Sequence, residues 1–93
     1  MEYEIIFDPR VVKQDFKSIG ESVKKRIVRE IKKKLKTSPT DFGKPLQFKL
    51  RNLYRLRVGD YRIIYHIDSN ELLVTILKIG HRSEVYEEIL KRI

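Results

Sequence analysis

The stretch YRLRVGDYRIIYHI, residues 54–67, constrains the chain more than any other. Two alternating runs meet at Gly59-Asp60, and a glycine at the first central position suits a two-residue type II′ hairpin, which fixes the register of both strands. Val58 is then expected opposite Tyr61, and Arg57 opposite Arg62. Alternation sends Tyr54, Leu56, Val58, Tyr61, Ile63, Tyr65 and Ile67 to one face and Arg55, Arg57, Arg62, Ile64 and His66 to the other. One face reads as core and the other as cationic. Two guanidiniums ~5 Å apart repel by roughly 1 kcal/mol in water and ~3 kcal/mol at an effective dielectric of 20, and opposed like charges destabilise a sheet. The arginines therefore splay into solvent, pair with carboxylates from elsewhere in the fold, or form a phosphate site.

The rest of the chain supplies the frame. EYEIIF (2–7) alternates like a strand, with Tyr3, Ile5 and Phe7 on one side. Asp8 and Pro9 offer an N-cap and a first-turn proline, and Val12, Phe16 and Ile19 follow at helical spacing up to Gly20. A second helix is expected from about Glu21 to Lys36, with Val23, Ile27, Ile31 and Leu35 as its buried stripe and a lysine- and arginine-rich outer face. TSPTDFGKP (37–45) is turn-rich. Beyond it LQFKL, LYRLRV, YRIIYHI and LLVTILKI read as strands, with turns at Arg51-Asn52, Gly59-Asp60 and Asp68-Ser69-Asn70. SEVYEEILKRI closes the chain as a short helix with acidic residues early and basic residues late. The expectation is one α+β domain over residues 1–93: an N-terminal strand, a helical hairpin, a four-stranded antiparallel meander and a short C-terminal helix.

Charge and composition narrow the function. Lys and Arg outnumber Asp and Glu 21 to 13, a net charge of +8, which points to a polyanion or an acidic protein as partner. The sequence contains no cysteine, so thiolate metal and redox sites are excluded. His66 and His81, the only histidines, are too far apart in sequence for a typical zinc motif. No apolar run reaches membrane-spanning length and no signal-like N-terminus is present, so a soluble, cytoplasmic protein without a membrane partner is expected.

A second group of candidates lies in GHRSEVYEE, residues 80–88. Gly80 is expected to end the last strand, leaving His81 and Arg82 in a turn. Were the helix to start at once, Arg82 and Tyr86 would share a side. Tyr86 is also the kind of amphipathic residue that packs beside Ile89 or Leu90, and His81 is an ordinary turn residue. Taken together, however, these side chains fit metal-free RNA cleavage. That reaction needs a base at the 2′-hydroxyl, cations on the phosphoryl oxygens and an acid for the departing 5′-oxygen. Arginines serve the second need and are poor proton acceptors, while guanidiniums near a tyrosine favour its charged form. A two-metal nuclease would need clustered carboxylates, and the acidic residues between Leu46 and Ile79, namely Asp60, Asp68 and Glu71, all fall at or beside turns.

KLRNLYRLRVGDYRIIYHI followed by ILKIGHRSEVYEEILKRI, with a β-α-α-β order ahead, resembles the RelE toxins of the RelE/ParE toxin–antitoxin superfamily across nearly the whole chain. The resemblance implies a ribosome-dependent endoribonuclease that cuts messenger RNA in the A site without a cofactor, leaving a 2′,3′-cyclic phosphate. It also implies an acidic, RelB-like antitoxin that wraps the toxin and often displaces its C-terminal helix, with the toxin a monomer alone and a hetero-oligomer with that partner. By matching positions, Arg62 takes the place of the family's central phosphate-binding arginine, Arg82 that of the C-terminal catalytic arginine, and Tyr86 that of the tyrosine bearing on the 2′-hydroxyl. Arg51, Arg55 and Arg57 take basic positions that contact RNA or stabilise the transition state. Two departures stand out: positions 55 and 57 are lysine in some active members, and the Gly80–Ser83 loop is shorter than in others. Some relatives use a histidine in this loop, and histidine's ordinary pKa near 6.5 suits acid–base work, so His81 rivals Tyr86 as the base. The other reading within the superfamily is a ParE-like inhibitor of DNA gyrase acting by protein binding, or a non-catalytic relative.

Overall fold

The computed structural model describes residues 2–93. Its sheet has five strands: β1 (Glu4–Phe7), β2 (Lys44–Pro45), β3 (Tyr54–Val58), β4 (Tyr61–Asp68) and β5 (Leu73–His81), in the spatial order β1-β5-β4-β3-β2. β2 to β5 form the expected antiparallel meander, while β1 runs parallel to β5, with Glu4 opposite Leu73 and Phe7 opposite Ile76. Three α-helices complete the order: α1 (Glu21–Leu35), α2 (Pro39–Phe42) and α3 (Val85–Leu90).

On one face α1 lays down Ile27, Ile31 and Leu35, all fully buried, against Leu56, Val58, Ile63, Tyr65, Ile76 and Ile79. Their i, i+4 spacing makes one apolar stripe, and each side chain contributes on the order of 1.5–3 kcal/mol by leaving water. Val23 is only partly buried, at the rim of this core. Tyr65 lies at its centre, and its hydroxyl donates to the Pro39 carbonyl at 2.6 Å. Burial pushes the Tyr65 hydroxyl pKa well above its usual value, with the neighbouring Tyr54 adding to the shift. Gly43 makes room for this contact, since a methyl group there would overlap the Tyr65 phenol.

The first arm of the expected helical hairpin is irregular. Residues Val11–Asp15 form a π-helical turn and Phe16–Ser18 a 3-10 turn. Val11 and Asp15 point inward, and of the expected stripe Phe16 and Ile19 reach the core while Val12 is 54% exposed. Asp15 explains the inward turn. β1 stops pairing with β5 after Asp8 donates to Ile76, and the Asp15 carboxylate takes over along that edge by accepting the Ile79 N–H at 2.9 Å. It also binds Lys78 Nζ at 2.9 Å and Arg92 at 2.7 Å. Lys78 reaches Glu88 of α3 at 3.3 Å, and Arg92 donates to the Leu77 carbonyl. One buried carboxylate thus ties the irregular arm, β5 and the chain end together.

Two further expectations are corrected. LQFKL is not a strand: only Lys44–Pro45 pair with β3, and Phe48–Leu50 form a 3-10 turn, because Leu46 and Leu50 both turn in to the same small cluster. The second sheet face is not purely cationic either. Ile64 is fully buried there with Leu53, Val85 and Ile89, and Leu46, Leu50, Leu77 and Tyr86 pack around them. A bulge between Ile64 and Tyr65 sets Lys78 opposite Ile64 but Ile76 opposite Tyr65. The extra residue, Leu77, joins the α3 side while Ile76 and Ile79 both reach the main core.

Candidate active site

The hairpin has the expected register: Val58 opposes Tyr61, Arg57 opposes Arg62 and Arg55 opposes Ile64. Gly59 has φ +58° and Asp60 is not among the described residues with positive φ, as a type II′ turn requires. Arg62 resolves the question its opposition to Arg57 raises in an unexpected way. It is only 6% exposed, and its Nη1 donates to the Gly59 and Tyr61 carbonyls at 3.0 Å each. Arg62 therefore braces its own turn, while Arg57 stays exposed on the same face. Among the described residues, no carboxylate lies in ion-pair range of Arg55, Arg57 or Arg62.

The helix that carries Tyr86 begins at Val85. Its apolar side seats Val85 and Ile89 on Ile64, which holds the Tyr86 ring partly buried and aims its hydroxyl at β3. There the hydroxyl accepts a hydrogen bond from Arg55 Nη1 at 3.1 Å. Ring packing and phenol contact coexist, so the packing role and the chemical role of Tyr86 do not compete. The sequence carried a signal for this pairing: within the β3–β4 hairpin Ile64 is the one large apolar residue on the arginine face, it marks where α3 lands, and Arg55 is its cross-strand partner.

Arg82 and His81 stand apart from this centre. β5 continues through His81, so Arg82 is not on the helix and shares no helical face with Tyr86. Its backbone N–H donates to the Asp60 carbonyl at 2.8 Å, and its exposed guanidinium lies 4.0 Å from the Asp60 carboxylate, a contact worth little in solvent. His81 opposes Tyr61 on the main-core face of the sheet, with the two rings edge-on at 6.0 Å. Its Nδ1 is 2.8 Å from Ser83 Oγ and accepts the Ser83 N–H at 3.2 Å, so the neutral ring carries its proton on Nε2. Arg51 is exposed in the loop before β3. The structure thus joins Arg55 to Tyr86, sets Arg57 and Arg62 on the same face, and leaves Arg51, His81 and Arg82 at the periphery. Chemically the centre offers three guanidiniums and a phenol, a set suited to an anionic ligand that presents a hydroxyl.

Comparison with known proteins identifies the family. Residues 5–86 match the family described as the ParE toxin of type II toxin-antitoxin system, parDE. Toxin RelG of Mycobacterium tuberculosis is 38% identical over 52 residues, a match covering 56% of this chain and 60% of that protein. The mRNA interferase toxin RelE of Escherichia coli K12 is 28% identical over 99 residues, covering all of this chain and 99% of the relative. Among solved structures, the toxin–antitoxin complex RelBE2 of Mycobacterium tuberculosis contains a chain that superimposes with a TM-score of 0.82 at 28% identity, covering 89% of this chain and 94% of that one. The chain belongs to the RelE/ParE superfamily of type II toxin–antitoxin toxins and is of the RelE type.

Proposed function

We propose that the protein is a metal-independent endoribonuclease that cuts messenger RNA in the ribosomal A site. The observation that carries this reading is the Tyr86 hydroxyl held by Arg55 on the same face as the carboxylate-free Arg57–Arg62 pair. Tyr86 Oη, acting as general base, takes the proton of a 2′-hydroxyl, and the 2′-oxygen attacks the adjacent phosphorus. Arg55 holds the Tyr86 oxygen in place, and Arg57 and Arg62 offset the charge that grows on the non-bridging oxygens. The 5′-oxygen leaves and takes a proton from water, giving a 2′,3′-cyclic phosphate and a 5′-hydroxyl. Arg62 is pre-positioned by its turn carbonyls, which lowers the reorganisation the reaction requires. Arg51 and Arg82, exposed at the rim, bind flanking phosphates.

The E. coli relative's name, mRNA interferase, supports the reaction class, and the RelBE2 complex supports an antitoxin partner for this chain. With a net charge of +8, that partner is acidic. A ribosomal substrate places the toxin in the cytoplasm; no helix among the described residues is long and apolar enough to cross a membrane. The matching family bears the ParE name, which keeps gyrase inhibition as the second reading. Such a protein-binding poison has no need of a phenol hydrogen-bonded to an arginine. Purified protein added to ribosomes programmed with a defined message should produce discrete A-site cuts by primer extension and leave gyrase supercoiling unchanged. Blocked supercoiling with intact message would reverse the assignment.

A further inference from the structure

The loop between β2 and β3 contains the least expected residue choice in the chain. Phe48 is 86% exposed and has φ +58°, a backbone conformation that costs a residue with a Cβ roughly 1–2 kcal/mol and favours glycine or asparagine. Loop closure accounts for the bend: Leu46 N–H donates to the Leu53 carbonyl at 2.9 Å, and Leu46, Leu50 and Leu53 turn inward. It does not account for the phenyl ring, which gains little burial in return. Leu72, the other described non-glycine residue with positive φ, differs on both counts. Its side chain is partly buried, and its carbonyl accepts the Glu4 N–H that opens the β1–β5 pairing.

The surroundings of Phe48 identify what it meets. Lys49, Arg51 and Asn52 line a shallow open groove with it, and no acidic residue does. The loop is fixed to the candidate site at both levels of structure. Leu50 and Leu53 belong to the cluster that holds the Tyr86 ring, and the chain runs on from Asn52 into β3 and Arg55, which binds the Tyr86 hydroxyl. An exposed flat ring beside cations, continuous with a phosphate-binding face, is the composition of a stacking platform for single-stranded nucleic acid. We infer that Phe48 stacks on an unpaired base of the RNA substrate, a short distance along the strand from the scissile phosphate, with Lys49 and Arg51 on the adjoining phosphates. The inference rests on the ribonuclease reading above and extends it to how the strand is held.

Because the ring is spent on substrate and the bend opposes it, Phe48→Gly should raise the melting temperature while weakening substrate binding. Single-turnover cleavage on programmed ribosomes, titrated in toxin, separates the two. Phe48→Ala and Phe48→Gly should raise the half-saturating toxin concentration by about 5- to 100-fold, the range of one lost base stack, with the saturated rate nearly unchanged. Phe48→Trp should restore affinity, and Phe48→Leu, equally apolar but without a π-face, should not. Full rescue by leucine, or a wild-type half-saturation in Phe48→Ala, would overturn the stacking role while leaving the nuclease reading intact. So would a Phe48→Ala variant whose only defect is weaker antitoxin binding by calorimetry, which would make the ring a protein contact. Absence of cleavage by the wild-type protein itself would remove both.

Discussion

Two groups of cations lie on the α3 side of the sheet, and they differ in what surrounds them. Lys78 and Arg92 close on Asp15, and Lys78 also on Glu88, so their positive charge is met by carboxylates inside the protein. Arg55, Arg57 and Arg62 have no such partner among the described residues. Arg55 binds a phenol, Arg62 binds two turn carbonyls, and Arg57 faces solvent. The first group holds the fold together by neutralising itself. The second is organised but left positive, at a cost in repulsion between Arg57 and Arg62 that an anionic ligand removes. Cations with acidic partners here serve architecture, and cations with only neutral partners are the ones the proposed reaction assigns to binding.

The comparison is broken most severely at Asp15. Asp15→Ala leaves Arg92 nearly buried with no carboxylate partner, Lys78 with Glu88 alone, and the Ile79 N–H without an acceptor. Removing one member of a buried network typically costs about 3–5 kcal/mol, so chemical denaturation should show a loss of that size, with α3 and the chain end most affected. A loss below about 1 kcal/mol would mean that the network is not what holds the C-terminal segment.

Tyr65 sharpens the contrast from within the main core, where a polar group has one neutral partner. Tyr65→Phe deletes the donor to Pro39 and strands a carbonyl, which costs about 1–3 kcal/mol. The pH dependence has a definite sign. Burial raises the hydroxyl pKa in the folded protein, so its stabilising effect is complete below the unfolded tyrosine value of about 10 and is lost as pH rises beyond it. Thermal melts from pH 8 to 11 should show a steeper alkaline decline in the wild type than in Tyr65→Phe, and parallel curves would contradict this.

Arg57→Ala is the smallest stability change and the mirror of Asp15→Ala. Relief of repulsion against Arg62 should leave melting unchanged or slightly higher, while A-site cleavage falls. A marked loss of stability would place Arg57 with the structural cations. Arg62 does not offer so clean a test, because truncating it also frees the Gly59 and Tyr61 carbonyls.

What could be read from sequence followed the range of the interactions. The Gly59-Asp60 turn, the Arg57–Arg62 register and the α1 stripe depend on local period and turn chemistry, and each is where alternation and i, i+4 spacing put it. The π-helical turn at Val11–Asp15 was hidden because it answers to Lys78, Ile79 and Arg92, more than sixty residues away. Phe48 defeated the strand reading of LQFKL because Leu46 and Leu50 both pack inward across a bend that alternation does not describe. In the candidate site, residue types were legible and distances were not. A helix beginning at Val85 rather than directly after Gly80 separates Arg82 from Tyr86 and brings Arg55 to it instead.

The central claim is that Tyr86, and not His81, removes the 2′-proton. Tyr86→Phe keeps the ring in its cluster and deletes only the hydroxyl that Arg55 holds. Single-turnover cleavage on programmed ribosomes, followed from pH 5.5 to 9, should fall by ~10²-fold or more in Tyr86→Phe, the usual scale of general-base loss, with ribosome binding and melting temperature retained. His81→Gln should cost far less. Near-normal cutting by Tyr86→Phe, together with a wild-type titration near the ordinary histidine value of about 6.5 that His81→Gln abolishes, would contradict the account.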